Sequence, residues 1–170
     1  MSETFLYFAY GSNMLTRRLT LPARAPSAVC AGTGYVECHR LAFDKVSRDG
    51  SGKADIEATG TTTDRVYGVL FRVAAAEESA LDRAEGLGKG YRKGNIQVVT
   101  PAGAVPATTY IATDKEPACL PYHWYKAIVV AGAIEHGLPN AYIEWLRTVS
   151  SQPDPNATRR AENEASLFNN

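Results

Sequence analysis

Phe5-Leu6-Tyr7-Phe8-Ala9-Tyr10-Gly11-Ser12-Asn13-Met14-Leu15-Thr16-Arg17-Arg18-Leu19 is the stretch on which the reading of the chain turns. Its first five residues are uncharged and either β-favouring or small, the pattern of a buried strand. Met14, Leu15 and Leu19 then share one face at helical spacing. The residues between them predict a tight turn from strand to short helix. Gly11 lets the backbone turn where a side chain would clash, and Ser12 or Asn13 is expected to cap the helix. Such a turn aims backbone N–H groups at one spot beside a positive helix end, which suits a carboxylate or phosphate. An ordinary strand-to-helix connection fits the same residues, so the turn alone assigns no function.

Outward from this stretch, composition sets the bounds. The chain has 170 residues, enough for one domain with a real core. Its 18 basic and 18 acidic side chains cancel, which argues against a dedicated nucleic-acid or anionic-membrane surface. No apolar run reaches membrane-spanning length, and the start, MSETFLYF, lacks the pattern of a secretory leader. Cys30, Cys38 and Cys119 are odd in number and widely spaced, so they read as thiols in a cytoplasmic protein. The sequence leaves a homodimer open.

Along the chain, Tyr35 to Phe43, Ala54 to Thr59 and Val66 to Val73 read as strands. Asn95 to Thr100 and Ala104 to Ala112 read as a hairpin around Pro101-Ala102-Gly103. Helices are predicted over Ala74 to Glu85, stopped by Gly86, and over Trp124 to His136, with Tyr125, Ile128, Val129 and Gly132 on one face. A third, Ala141 to Val149, is expected to be capped by Asn140 and to turn Ile143, Leu146 and either Val149 or Trp145 inward. From Ser150 the chain is polar and interrupted by Pro153 and Pro155. The expectation is one α+β domain over residues 1–150, a mixed sheet of about six strands with three helices, and a mobile tail over 151–170.

Glu85 is the first candidate for chemistry. It lies four residues after Leu81, so both project from one helical face, and an inward Leu81 draws Glu85 inward at the last turn. A carboxylate there meets the negative end of the helix and loses hydration, conditions that favour its protonated form. Such a group can accept a proton near neutral pH and return it. Glu77, Glu78 and Asp82 read as a solvated face. The glycines of Gly86-Leu87-Gly88-Lys89-Gly90 end a helix and open a strand, the reverse of a dinucleotide loop. His39, His123 and His136 have no metal-ligand spacing, and Ser12 has no nucleophile-elbow context, so metal ligation and an acyl-enzyme are not expected.

Three blocks in order resemble the γ-glutamylcyclotransferase family. They are Phe5 to Leu19 (FLYFAYGSNMLTRRL), Val66 to Tyr91 (VYGVLFRV…LDRAEGLGKGY) and Tyr125 to Pro139 (YKAIVVAGAIEHGLP), and together they cover most of Phe5 to Val149. The tail after Val149 has no counterpart, and the loop before Tyr91 is one residue shorter than the family's usual form. The resemblance implies a small mixed β-barrel with surrounding helices, no cofactor and no metal. It implies that Glu85, in its LDxxEG context, is catalytic. It also implies that Tyr7, Phe8, Ala9, Tyr10, Gly11, Ser12, Asn13, Tyr91 and Tyr125 bind a small-molecule γ-glutamyl substrate. The implied reaction belongs to glutathione metabolism: the substrate's α-amine attacks its own γ-carbonyl carbon and releases 5-oxoproline and an amino acid. Members specific for intact glutathione typically carry YGSL, so Asn13 argues against that branch. Alternatives are a relative acting on γ-glutamyl amines or a γ-glutamylated intermediate, and a non-catalytic module that binds a small carboxylate.

Overall fold

The computed structural model describes residues 2–168. Five strands close a mixed barrel: β1 (Thr4–Ala9), β5 (Arg65–Ala74), β2 (Val29–Glu37), β6 (Tyr91–Thr100) and β7 (Gly103–Ala112), in that order around the wall. β1 runs antiparallel to β5 and meets β7 in parallel at Tyr7 and Thr108, which closes the ring. A separate hairpin, β3 (His39–Val46) with β4 (Gly52–Ala58), stands beside it. Seven strands among the described residues therefore replace the expected six or so. The extra one arises at Cys38, which takes φ 60 and splits the predicted strand Tyr35–Phe43 into β2 and β3. A left-handed residue breaks the strand path, and no periodicity in the sequence announces it.

The helices are α1 (Thr16–Leu19), α2 (Glu78–Glu85), α3 (His123–Glu135), α4 (Asn140–Thr148) and α5 (Ala157–Phe168). Tyr7, Phe8 and Ala9 are all buried, as the uncharged run predicts, because β1 is covered on both faces. Gly86 ends α2 in the left-handed region (φ 71), and its N–H and that of Leu87 close on the Arg83 and Asp82 carbonyls. Tyr125, Ile128, Val129 and Gly132 form the buried face of α3. A Cβ at Gly132 would stand 2.6 Å from the Leu15 nitrogen, so only glycine lets α3 lie against the turn after β1.

Three local expectations are corrected. Neither Ser12 nor Asn13 caps a helix: Gly11 and Leu15 occupy the cap positions of the 3₁₀ turn Ser12–Met14 and of α1, without side-chain capping bonds. Asn140 opens α4 behind Pro139 and makes no capping bond; Val149 packs on the core while Trp145 is 43% exposed. Finally, where composition predicts a mobile tail, the structure places α5. Asp154 is buried; it accepts from Trp124 Nε1 at 2.9 Å and pairs with Arg159 at 2.5 Å. Gln152 bonds through its backbone to His123 and Pro121. The segment is held by polar anchors, which a hydrophobic pattern does not register.

Candidate active site

The end of β1, the turn after it, and the C-terminus of α2 converge on one cleft. Tyr7, Tyr10, Gly11, Ser12 and Asn13 form one side, and Glu85, Ala54, Tyr91, Tyr110 and Tyr125 complete it around about 300 Å³ of unfilled space. α2 delivers Glu85 because Leu81, one turn earlier, is wholly buried. β4 brings the backbone of Ala54, whose N–H donates to the Tyr125 hydroxyl at 3.1 Å and whose carbonyl accepts from Tyr91 at 2.7 Å. A Cβ at Gly11 would stand 2.9 Å from the Ala54 methyl and 3.2 Å from the Tyr125 oxygen. The glycine is thus required by close approach.

One polar network crosses the cleft. Asn13, 4% exposed, donates from Nδ2 to Glu85 Oε1 at 2.5 Å and to the Tyr7 hydroxyl at 3.0 Å. Its carbonyl oxygen accepts from Arg24 at 3.1 Å, and the same guanidinium nitrogen reaches Glu85 Oε1 at 3.1 Å. These partners fix the amide's orientation, since its oxygen faces a cation and its nitrogen an anion. The buried amide spends its hydrogen bonds on this network instead of on a helix cap. Met14 and Leu15 fold back onto the Gly11 and Ser12 carbonyls, so the N–H groups of Ser12 and Asn13 lie in a first turn with no internal acceptor.

Burial, the leading cause, holds the hydroxyls of Tyr7, Tyr10, Tyr91, Tyr110 and Tyr125 above their ordinary range, so all five stay neutral donors and acceptors. Burial also lowers Arg18 and Lys53 from their usual values. Arg18 Nε donates to Ser12 Oγ at 3.1 Å, and Lys53 Nζ lies 4.6 Å from the centre of the Tyr125 ring.

The mouse (Mus musculus) gamma-glutamylcyclotransferase is 39% identical to the chain over 155 residues, covering 86% of this chain and 79% of that protein. The human (Homo sapiens) gamma-glutamylcyclotransferase is 35% identical over the same coverage. The chain belongs to the gamma-glutamylcyclotransferase family. A model of the AIG2-like family also matches residues 65–146. Among solved structures, a gamma-glutamyl cyclotransferase superposes with TM-score 0.84 at 30% identity, over 96% of this chain and 99% of that one. The mixed barrel with its surrounding helices is therefore the fold of the gamma-glutamylcyclotransferase family as well as the one the strand pairing describes.

Of the residues singled out in the sequence, Tyr7, Tyr10, Gly11, Ser12, Asn13, Glu85, Tyr91 and Tyr125 meet at the cleft of this gamma-glutamylcyclotransferase family member. Phe8 and Ala9 do not: both are buried in the barrel and neither faces the opening. Tyr91 reaches the cleft despite the shortened loop before it. Arg24, Tyr110 and Ala54 escape the sequence reading. Arg24 sits in the proline-flanked stretch Pro22–Pro26, 61 positions from Glu85, and Ala54 acts through its backbone, so neither leaves a spacing signal. Among the described residues, no group of three or more His, Cys, Asp and Glu side chains could hold a metal ion, and no helix is long and apolar enough to cross a membrane.

Proposed function

We propose that this cleft takes a γ-glutamyl group and closes it into 5-oxoproline, releasing the amine that the γ-carboxyl had carried. The observation that carries this reading is the hydrogen bond of 2.5 Å by which Asn13 ties the turn after β1 to the Glu85 carboxylate. An anion-binding turn and a proton acceptor then face the same few ångströms of cleft, as cyclisation requires. The N–H groups of Ser12 and Asn13 hold the α-carboxylate, and the α-ammonium comes to rest beside Glu85. The ammonium must lose one proton to expose its lone pair, and Glu85 accepts it. The freed nitrogen forms a bond to the γ-carbonyl carbon while the carbonyl electrons move onto oxygen. Collapse of that intermediate restores the carbonyl and breaks the old C–N bond. The ring nitrogen keeps one hydrogen; the two protons it has given up make the departing nitrogen an ammonium. Holding both ends of the glutamyl chain supplies the main acceleration, since oriented intramolecular attack reaches effective molarities of about 10⁵ M or more.

A γ-glutamyl amino acid is the substrate in this reading, and glutathione metabolism and the cytoplasm its setting. Support for the location is the state of Cys30, Cys38 and Cys119, all free thiols. Product analysis tests the reaction. A γ-glutamyl dipeptide should yield 5-oxoproline and amino acid, and the same dipeptide with its α-amine acetylated should be inert. Glutamate as the main product, or amine released from the acetylated compound, would mean that water is the attacker and cyclisation is wrong.

A further inference from the structure

The two oxygens of the Glu85 carboxylate have different surroundings. Oε1 accepts from Asn13 Nδ2 at 2.5 Å and from Arg24 Nη1 at 3.1 Å. Oε2 has no hydrogen bond or ion pair among the described residues, although Glu85 borders the cleft. An ionised carboxylate offers about four acceptor positions over its two oxygens. The protein fills two of them, both on the same oxygen. Glu85 is therefore held at one oxygen and open at the other.

The Arg24 nitrogen that reaches Oε1 also donates to Asn13 Oδ1 at 3.1 Å. Arg24, Asn13 and Glu85 thus close a triangle in which every edge is a hydrogen bond. Turning the carboxylate away breaks two edges at once. Arg24 itself does not border the cleft. Its side chain is 18% exposed and that of Glu85 16%, so the ion pair is largely shielded from water. Its backbone is fixed as well: the Arg24 N–H donates to the Leu21 carbonyl at 2.8 Å, and Ala25 beside it is wholly buried. A cation that lines a cleft can bind substrate directly. One that reaches the proton acceptor from behind acts through it.

We propose that Arg24 is a positioning residue: with Asn13 it pins Oε1 of Glu85, so that Oε2 is the oxygen that carries the protons of the reaction. The inference rests on the cyclisation reading and assigns that reading's proton transfers to one atom. Each proton that the α-ammonium gives up leaves by breaking an N–H bond and forms an O–H bond on Oε2. It departs when that bond breaks and a new N–H bond forms on the leaving nitrogen. Glu85 ends as the carboxylate it was at the start. Arg24 remains a guanidinium throughout and exchanges no proton. Its contribution is geometric, because an acceptor already aimed at the ammonium needs no reorientation before each transfer.

A double-mutant cycle, read as 5-oxoproline formation from a γ-glutamyl dipeptide, tests the role. Arg24→Met should lower kcat by about tenfold to 10²-fold, the scale of a misplaced catalytic group, with KM nearly unchanged. In a Glu85→Gln background no proton acceptor is left to aim, so adding Arg24→Met should slow the enzyme no further. A residue that bound substrate directly would raise KM, and its effect would multiply with that of Glu85→Gln. Either result overturns the proposal, as does an Arg24→Met enzyme as fast as wild type. If Arg24→Met does not fold, by circular dichroism, Arg24→Gln takes its place in the cycle with the same outcomes expected, since it loses the charge. A second readout needs no turnover. Titration calorimetry should find 5-oxoproline bound as tightly by Arg24→Met as by wild type, and a tenfold loss of that affinity would make Arg24 a ligand contact and overturn the proposal. A wild-type enzyme that forms no 5-oxoproline sinks the cyclisation reading and the proton route with it. Effects that multiply in an enzyme that does form it sink Arg24 alone.

Discussion

Gly11→Ala places the smallest side chain where the cleft has least room for it. The new Cβ would stand 2.9 Å from the Ala54 methyl and 3.2 Å from the Tyr125 oxygen. Carbon atoms in contact prefer about 3.5–4.0 Å, so Ala54 must yield by roughly 0.6–1.1 Å. Ala54 cannot yield alone, because its N–H holds Tyr125 and its carbonyl holds Tyr91. Two cleft tyrosines move with it. A displacement of about 1 Å costs on the order of 10²-fold in rate, so kcat/KM for a γ-glutamyl dipeptide should fall by about that factor. The remedy is local: Ala54→Gly removes the methyl that the new side chain meets. Assayed as 5-oxoproline formation, Gly11→Ala/Ala54→Gly should recover most of the loss. Ala54→Gly alone should retain near-normal turnover and lose only about 0.5–1 kcal/mol of stability, the usual cost of glycine within a strand. Full activity in Gly11→Ala would refute the reasoning, as would a double variant no better than the single one.

Two further outcomes are expected. Glu85→Gln keeps the shape of the side chain and an oxygen for Asn13 and Arg24, but cannot take a proton, so kcat should drop by about 10² to 10⁴ while KM stays close to wild type; a steady-state assay showing retained turnover would assign the base elsewhere. Asp154→Asn should lower the melting temperature at neutral pH, because hydrogen bonding from Arg159 holds this carboxyl well below the ordinary range. A depressed carboxylate contributes stability that is complete above its unfolded-state value, about 3.9, and is lost as pH falls through the folded-state value. The gap between Asp154→Asn and wild type in thermal melts should therefore stay constant down to about pH 4 and narrow only below it; a gap that narrows between pH 7 and 5 would contradict the assignment.

Much of the candidate site was legible as a place in the fold because its parts are local. Phe5–Leu19 carries strand, glycine turn and helix in consecutive residues, and each side-chain type states its own backbone preference. Glu85 could be placed at a helix end and on the side of Leu81 by counting. The pattern did not extend to Phe8 and Ala9, which share the strand with Tyr7 but lie in the barrel interior, since both faces of β1 are covered. It failed for Asn13 as well, where a capping residue by type became the bridge between Glu85, Tyr7 and Arg24. An asparagine chooses between a backbone partner and a buried one according to what surrounds it, and here those surroundings include Glu85, 72 positions away.

What the sequence by itself determined was the order of strands and helices apart from the break at Cys38 and the helix α5, together with the stop at Gly86, the turn at Gly11 and the inward face of α3. Each depends on neighbours within a few positions, where propensity and periodicity act. Tertiary structure alone decided three other matters. It closed the ring through the parallel contact of Tyr7 with Thr108, and it joined Arg24 to Glu85. It also docked the polar C-terminal segment through Asp154 against Trp124 and Arg159. Each of these joins groups with no periodic relation, through one or two directional hydrogen bonds whose strength depends on burial that the chain acquires only once it is folded.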